Sequence, residues 1–113
     1  MGHDTRAYLG RAAPSEPHKA ASSTVLTEEI AYLPGNYWQY EALGAEEYDG
    51  RVSGIGIGRW FTRDQITSGL ERLRSKELVL APVGRSCKPA ITFFEKCLDH
   101  MPIDQTWVYI DFG

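Results

Sequence analysis

A chain of 113 residues, 42% hydrophobic and 24% charged, has the size and composition of one globular domain with a single modest core. No apolar run approaches the roughly 20 residues of a membrane-spanning helix, and the first residues lack the apolar core of a signal peptide, which sets a membrane role aside and makes a cytoplasmic setting the expectation. The net charge of −3 hides a division: residues 24–50 carry six acidic groups and no lysine or arginine, whereas residues 51–88 carry eight basic and three acidic groups. Either the two stretches pair with each other in the fold, or they present an acidic and a basic face to different partners.

Residues 1–22 mix Gly, Ala, Pro, Ser and His without sustained periodicity, and Pro14-Ser15-Glu16-Pro17 would interrupt a helix. The expectation is a flexible N-terminal tail ahead of a single domain over 23–113. Residues 24–33 fit a strand by their β-branched start, although Leu26, Ile30 and Leu33 also have helical spacing. Pro34-Gly35 suits the centre of a type II turn, and Tyr37-Trp38-Gln39-Tyr40 beyond it is strongly strand-like. Together they predict an antiparallel unit over 24–33 and 36–43.

Val52 to Phe61 reads as a buried strand whose three glycines, Gly54, Gly56 and Gly58, fall on one face. That bare face calls for something lying close against it, a helix such as the one bearing Phe93 and Phe94, or a ligand. Thr62-Arg63-Asp64-Gln65 spells a capping box, and Ile66, Leu70 and Leu73 stripe the helix that follows to about Lys76. The continuously apolar Leu78-Val79-Leu80-Ala81 predicts a strand buried on both faces. A second helix is expected over 87–100, striped by Ala90, Phe93, Phe94 and Cys97, and a last strand over 106–112.

The element order is then β-β-β-α-β-α-β. It predicts an α/β domain bordering on α+β, with a mixed sheet of about five strands, the last three parallel through right-handed crossovers, and two helices packed on it. In such a sheet a site lies beyond the carboxyl ends of the parallel strands, where Arg63, the loop Gly84–Lys88 and Asp111 would converge.

Within that loop, Arg85, Ser86 and Lys88 at a helix start, joined by Arg63, form a candidate anion site; alternatively Ser86 caps the helix and Arg85 is solvated. Cys87 lies in the same turn, where two cations and a helix start would favour its thiolate, but no histidine is positioned as its base. It is the single candidate nucleophile, with a buried, inert thiol as the alternative. Cys87 and Cys97 are too far apart along one helix for a disulfide. With no CxxC and His3, His18 and His100 scattered, no metal site is expected. A GxGxG inside a strand lacks the strand-turn-helix placement of a dinucleotide or phosphate loop, so no cofactor is expected either.

Three functions can be weighed on these residues. The first is a small acidic module that binds another protein, in the style of inhibitor, immunity or adaptor proteins. Tyr and Trp anchor interfaces, and here they interleave with acids. Tyr37, Glu41, Glu46, Glu47 and Asp49 are the candidate partner-binding residues, and the partner would carry a basic surface. The second rests on Thr62 to Gly84, which resembles the recognition helix and wing of winged-helix proteins. The resemblance implies nucleic-acid binding with Arg63, Thr67, Ser68 and Arg72 facing the groove. Against it, the preceding region holds the glycine strand where two further helices belong, and the overall charge is acidic. The third is a small enzyme or anion-binding protein built around Cys87.

Overall fold

The computed structural model describes residues 4–10, 25–35, 38–43, 58–103 and 107–111. Strand β1 spans Thr5–Gly10, β2 Leu26–Leu33, β3 Gly58–Thr62 and β4 Trp107–Asp111. Among the described residues three α-helices join them, α1 over Trp38–Leu43, α2 over Arg63–Leu80 and α3 over Lys88–His100, with a 3-10 turn at Ala81–Val83 between the last two. The sheet runs β2-β1-β4-β3. Every neighbouring pair is antiparallel.

Residues 5–10, expected to belong to a tail, instead form an inner strand. The alternation was present but quiet: Thr5, Ala7 and Leu9 point into the core while Arg6, Tyr8 and Gly10 point away. Small side chains at two of those core positions leave a weak hydrophobic signal, and pairing on both edges supplies what propensity lacks.

The five-stranded mixed sheet gives way to a four-stranded antiparallel one in an α+β arrangement, because Leu78-Val79-Leu80 is not a strand. α2 runs on through it to Leu80. Nothing between Lys76 and Leu80 breaks a helix, the first proline being Pro82, and Leu80 stays in phase with the buried Ile66, Leu70 and Leu73. With that strand gone, β3 and β4 become neighbours in the sheet and the crossovers disappear. The second strand of the expected antiparallel unit is also lost, since Trp38–Leu43 is helical and turns Gln39 and Ala42 inward. Gly35 keeps the left-handed conformation (φ 48°) that the turn reading asks for.

Other expectations hold. Thr62 and Gln65 make the reciprocal capping box, the Gln65 amide donating to the Thr62 hydroxyl at 3.1 Å and the Thr62 amide to Gln65 Oε1 at 2.8 Å. Ile66, Leu70, Leu73, Phe93, Phe94 and Cys97 pack from the helices onto Ala7, Leu33, Phe61, Val108 and Ile110 of the sheet. On the opposite face Trp60 and Tyr109 are also buried, edge to face with centroids 5.2 Å apart. Of the glycine strand, Gly58 opens β3, while Gly54 and Gly56 lie outside the described residues. The glycine that meets a Phe ring is Gly69 of α2, where a Cβ would stand 2.6 Å from Phe94. No helix among the described residues is long and apolar enough to cross a membrane.

Candidate functional site

The antiparallel sheet separates what the sequence reading brought together. Thr62 pairs with Trp107 and Gly58 with Asp111, so Asp111 lies at the end of the sheet away from Arg63. Arg63 donates through Nη2 to the Pro102 carbonyl at 2.8 Å, just beyond the C-terminus of α3. Arg85, Ser86 and Lys88 surround the N-terminus of that same helix. The four candidate anion residues therefore divide between its two ends.

The start of α3 already has a carboxylate. Glu77 accepts the Cys87 amide at 2.7 Å and the Ser86 hydroxyl at 2.9 Å. The Cys87 amide and then the Ser86 hydroxyl hold the Glu77 carboxyl below the usual glutamate range, opposed by partial desolvation. Ser86 in turn accepts the Lys88 amide at 3.1 Å. Sequence reasoning placed the anion from outside, whereas it comes from the last turns of α2. Cys87 is fully buried and its thiol donates to the Leu73 carbonyl at 3.3 Å. A thiol spent as a donor in the core is arranged opposite to an exposed attacking thiolate. Cys97 is also buried, and desolvation pushes its thiol up to about 12. Among the described residues no cluster of three or more His, Cys, Asp or Glu could hold a metal.

The winged-helix resemblance fails at its wing, because Leu78–Leu80 is helical. Two of its groove-facing residues also serve the fold: Thr67 donates to the Arg63 carbonyl at 2.9 Å, and Arg72 donates to the Ala42 carbonyl at 2.6 Å, tying α1 to α2. What α2 does present is an open, shallow face formed by Ser68, Glu71, Arg72, Ser75, Lys76 and Val79. These positions recur at helical spacing down one side of the helix. At the C-terminal end of α2 and in the turn after it, Leu78 is 78% exposed and Val79 and Val83 each 69%. Lys76 and Arg85 both approach the ring of the half-buried Trp38 at 5.9 Å. The helical phase held the clue, since residues 78 and 79 fall off the stripe of Ile66, Leu70, Leu73 and Leu80.

Of the acidic-aromatic residues, Tyr37, Glu46, Glu47, Asp49 and the side chain of Glu41 lie outside the described residues. Earlier in the chain, edge strand β2 exposes Glu28, Glu29 and Tyr32. Glu29 pairs with Arg6 at 3.3 Å, Arg6 stacks over the Tyr32 ring at 4.6 Å, and the Tyr32 hydroxyl donates to Asp4 at 3.1 Å. No protein-family model matches the chain, nor does any curated protein or solved structure.

Proposed function

We propose that this chain is a small module that works by binding another protein. The observation that carries the reading is the apolar corner: three large aliphatic side chains, Leu78, Val79 and Val83, stand in water within six residues of one another. Single exposed aliphatics are ordinary, but three so close along the chain at a helix end favour an interaction surface. Residues that would serve catalysis give less support, since Cys87 is enclosed and donates its hydrogen to the core. Two thiols with no disulfide between them suit a cytoplasmic setting, which belongs to the same proposal.

The test compares proteins retained from a lysate of the source cell by the wild type and by Leu78→Gln/Val79→Gln, a pair that keeps helix propensity and leaves the core untouched. A protein retained by the wild type and lost by the variant, at unchanged thermal midpoint, is the expected result. Identical retention by both would remove the corner from consideration.

A second surface, for a partner with a basic face, is proposed on Tyr37, Glu41, Glu46, Glu47 and Asp49. The exposure of Glu28, Glu29 and Tyr32 on β2, just before it in the sequence, favours it. Glu41→Lys with Glu46→Lys should abolish retention of that partner, and unchanged retention would exclude this surface.

A further inference from the structure

We infer that the outer edge of β2 is guarded: Glu28 and Glu29, with two bulges in the strand, keep a second copy of this chain from adding its own β2 there. The inference goes beyond the protein-binding reading, since it concerns what the sheet turns away.

The edge needs a guard. β2 lies at one end of the order β2-β1-β4-β3, so among the described residues its ladder to β1 occupies one side only. The other side of an edge strand carries N–H and C=O groups that form a template for a further strand. β2 is the longest of the four strands, eight residues against six, five and five. A very short edge strand is one way to avoid such pairing, and β2 does not use it. Its second half, Ile30-Ala31-Tyr32-Leu33, is uncharged and holds residues that favour strands.

Charge supplies the first part of the guard. Glu28 and Glu29 occupy the middle of Leu26–Leu33, and both are exposed. Two copies pairing antiparallel along most of this strand about a two-fold axis must cross near its middle. Four carboxylates then gather at the axis, where opposed side chains stand about 5 Å apart and like charges destabilise the pair. Arg6 answers Glu29 at 3.3 Å, but no ion pair among the described residues answers Glu28. Asp4, which accepts the Tyr32 hydroxyl at 3.1 Å, adds charge of the same sign.

Shape supplies the second part. Ala7 and Tyr8 are consecutive in β1, yet their partners Ala31 and Glu29 are two positions apart. Tyr8 and Gly10 are two apart, and their partners Glu29 and Leu26 are three apart. β2 therefore carries one extra residue at each shift, and Thr27 bridges the second by donating its hydroxyl to the Leu9 carbonyl at 3.0 Å. Each bulge bends and twists the strand, which leaves only short regular runs for an incoming ladder.

The test reads sedimentation and amide hydrogen exchange across a series of protein concentrations. In the wild type the β2 amides should keep the same protection throughout. Glu28→Gln/Glu29→Gln removes the charge at nearly constant shape. It should self-associate at least about tenfold more tightly, with protection rising along β2. Glu28→Val/Glu29→Val, which also adds strand propensity, should go further. Glu28→Gln alone keeps the Arg6–Glu29 pair and should fall between the wild type and the double variant. Raising salt should move the wild type toward the Gln variants, because exposed charges are screened. Variants that stay as dispersed as the wild type would overturn the guard. So would association that leaves the β2 amides unprotected, since it would use another surface. Protection of β2 that rises with concentration in the wild type would make the edge an interface between copies, and would also overturn the inference. Thermal midpoints are recorded for every variant. Association confined to variants with a lowered midpoint would assign it to partial unfolding, with the same consequence.

Discussion

The Glu77 carboxylate accepts the backbone N–H of Cys87 at 2.7 Å, so the anion at the start of α3 is supplied by α2. One side chain thereby caps one helix from the body of another and holds the corner between them. Its carboxyl is lowered chiefly by that backbone hydrogen bond, with Ser86 adding to it. A lowered carboxyl contributes stability above its unfolded value, and that stability is lost as pH falls through the folded value. Glu77→Gln should therefore lower the thermal midpoint near neutral pH. The gap from the wild type should close as pH falls below the usual glutamate range. A gap constant across that range would mean that the charge on Glu77 does not contribute.

Gly69→Ala sets two effects against each other. In an exposed helix the change gains about 1 kcal/mol, but here the new Cβ meets Phe94 at 2.6 Å and the Ala42 carbonyl at 3.1 Å. Phe94 is a fully buried ring with little room to retreat. Overpacking of this kind costs about 1–3 kcal/mol, so the expected outcome of a denaturant melt is net destabilisation. A stabilised variant would show that the α1–α2–α3 contact yields.

On the other face of the sheet, the Trp60 ring occupies the space where Gly10 would carry a Cβ. Gly10→Ala should destabilise the fold, and Trp60→Phe should rescue part of that loss in the double variant. Equal and additive losses would show that the two residues are uncoupled.

Deleting residues 1–10 should abolish cooperative unfolding, because β1 hydrogen-bonds to both β2 and β4. A preserved melt would restore the tail reading. β1 illustrates why part of the fold was hard to read: Ala7 and Gly10 carry almost no hydrophobic or β-forming signal, and their fit depends on neighbours distant in sequence. α2 and α3 were legible because their stripes are long, and the capping box at Thr62 and Gln65 is a local device. Leu78-Val79-Leu80 misled because an apolar triplet looks alike at a helix end and in a buried strand; only the phase of Leu80 separates them. The same error hid the apolar corner. The closure of the α3 N-terminus was invisible for a different reason, since no local pattern links Glu77 to Cys87 across a turn.

The exposed pair Arg74–Glu95 should matter little by contrast. Both side chains are about half in solvent, and Glu95→Gln should shift stability by under about 1 kcal/mol. A larger loss would indicate that the pair positions α3 on α2.

The order β2-β1-β4-β3 also governs when the protein can assemble on the ribosome. β4 is the central seam: β1 meets it on one side and β3 on the other, and Tyr8 pairs with Tyr109 almost the whole chain away. Until β4 has emerged, β1 and β3 have no strand between them to hydrogen-bond to, and the sheet stays in two parts. The contacts that close the sheet span the longest loops, so folding is expected to be slow for a chain of this size and to occur after synthesis of β4. During that interval the inner edge of β1 is open to other chains, and a translation-arrested fragment ending before β4 should aggregate where the complete chain does not.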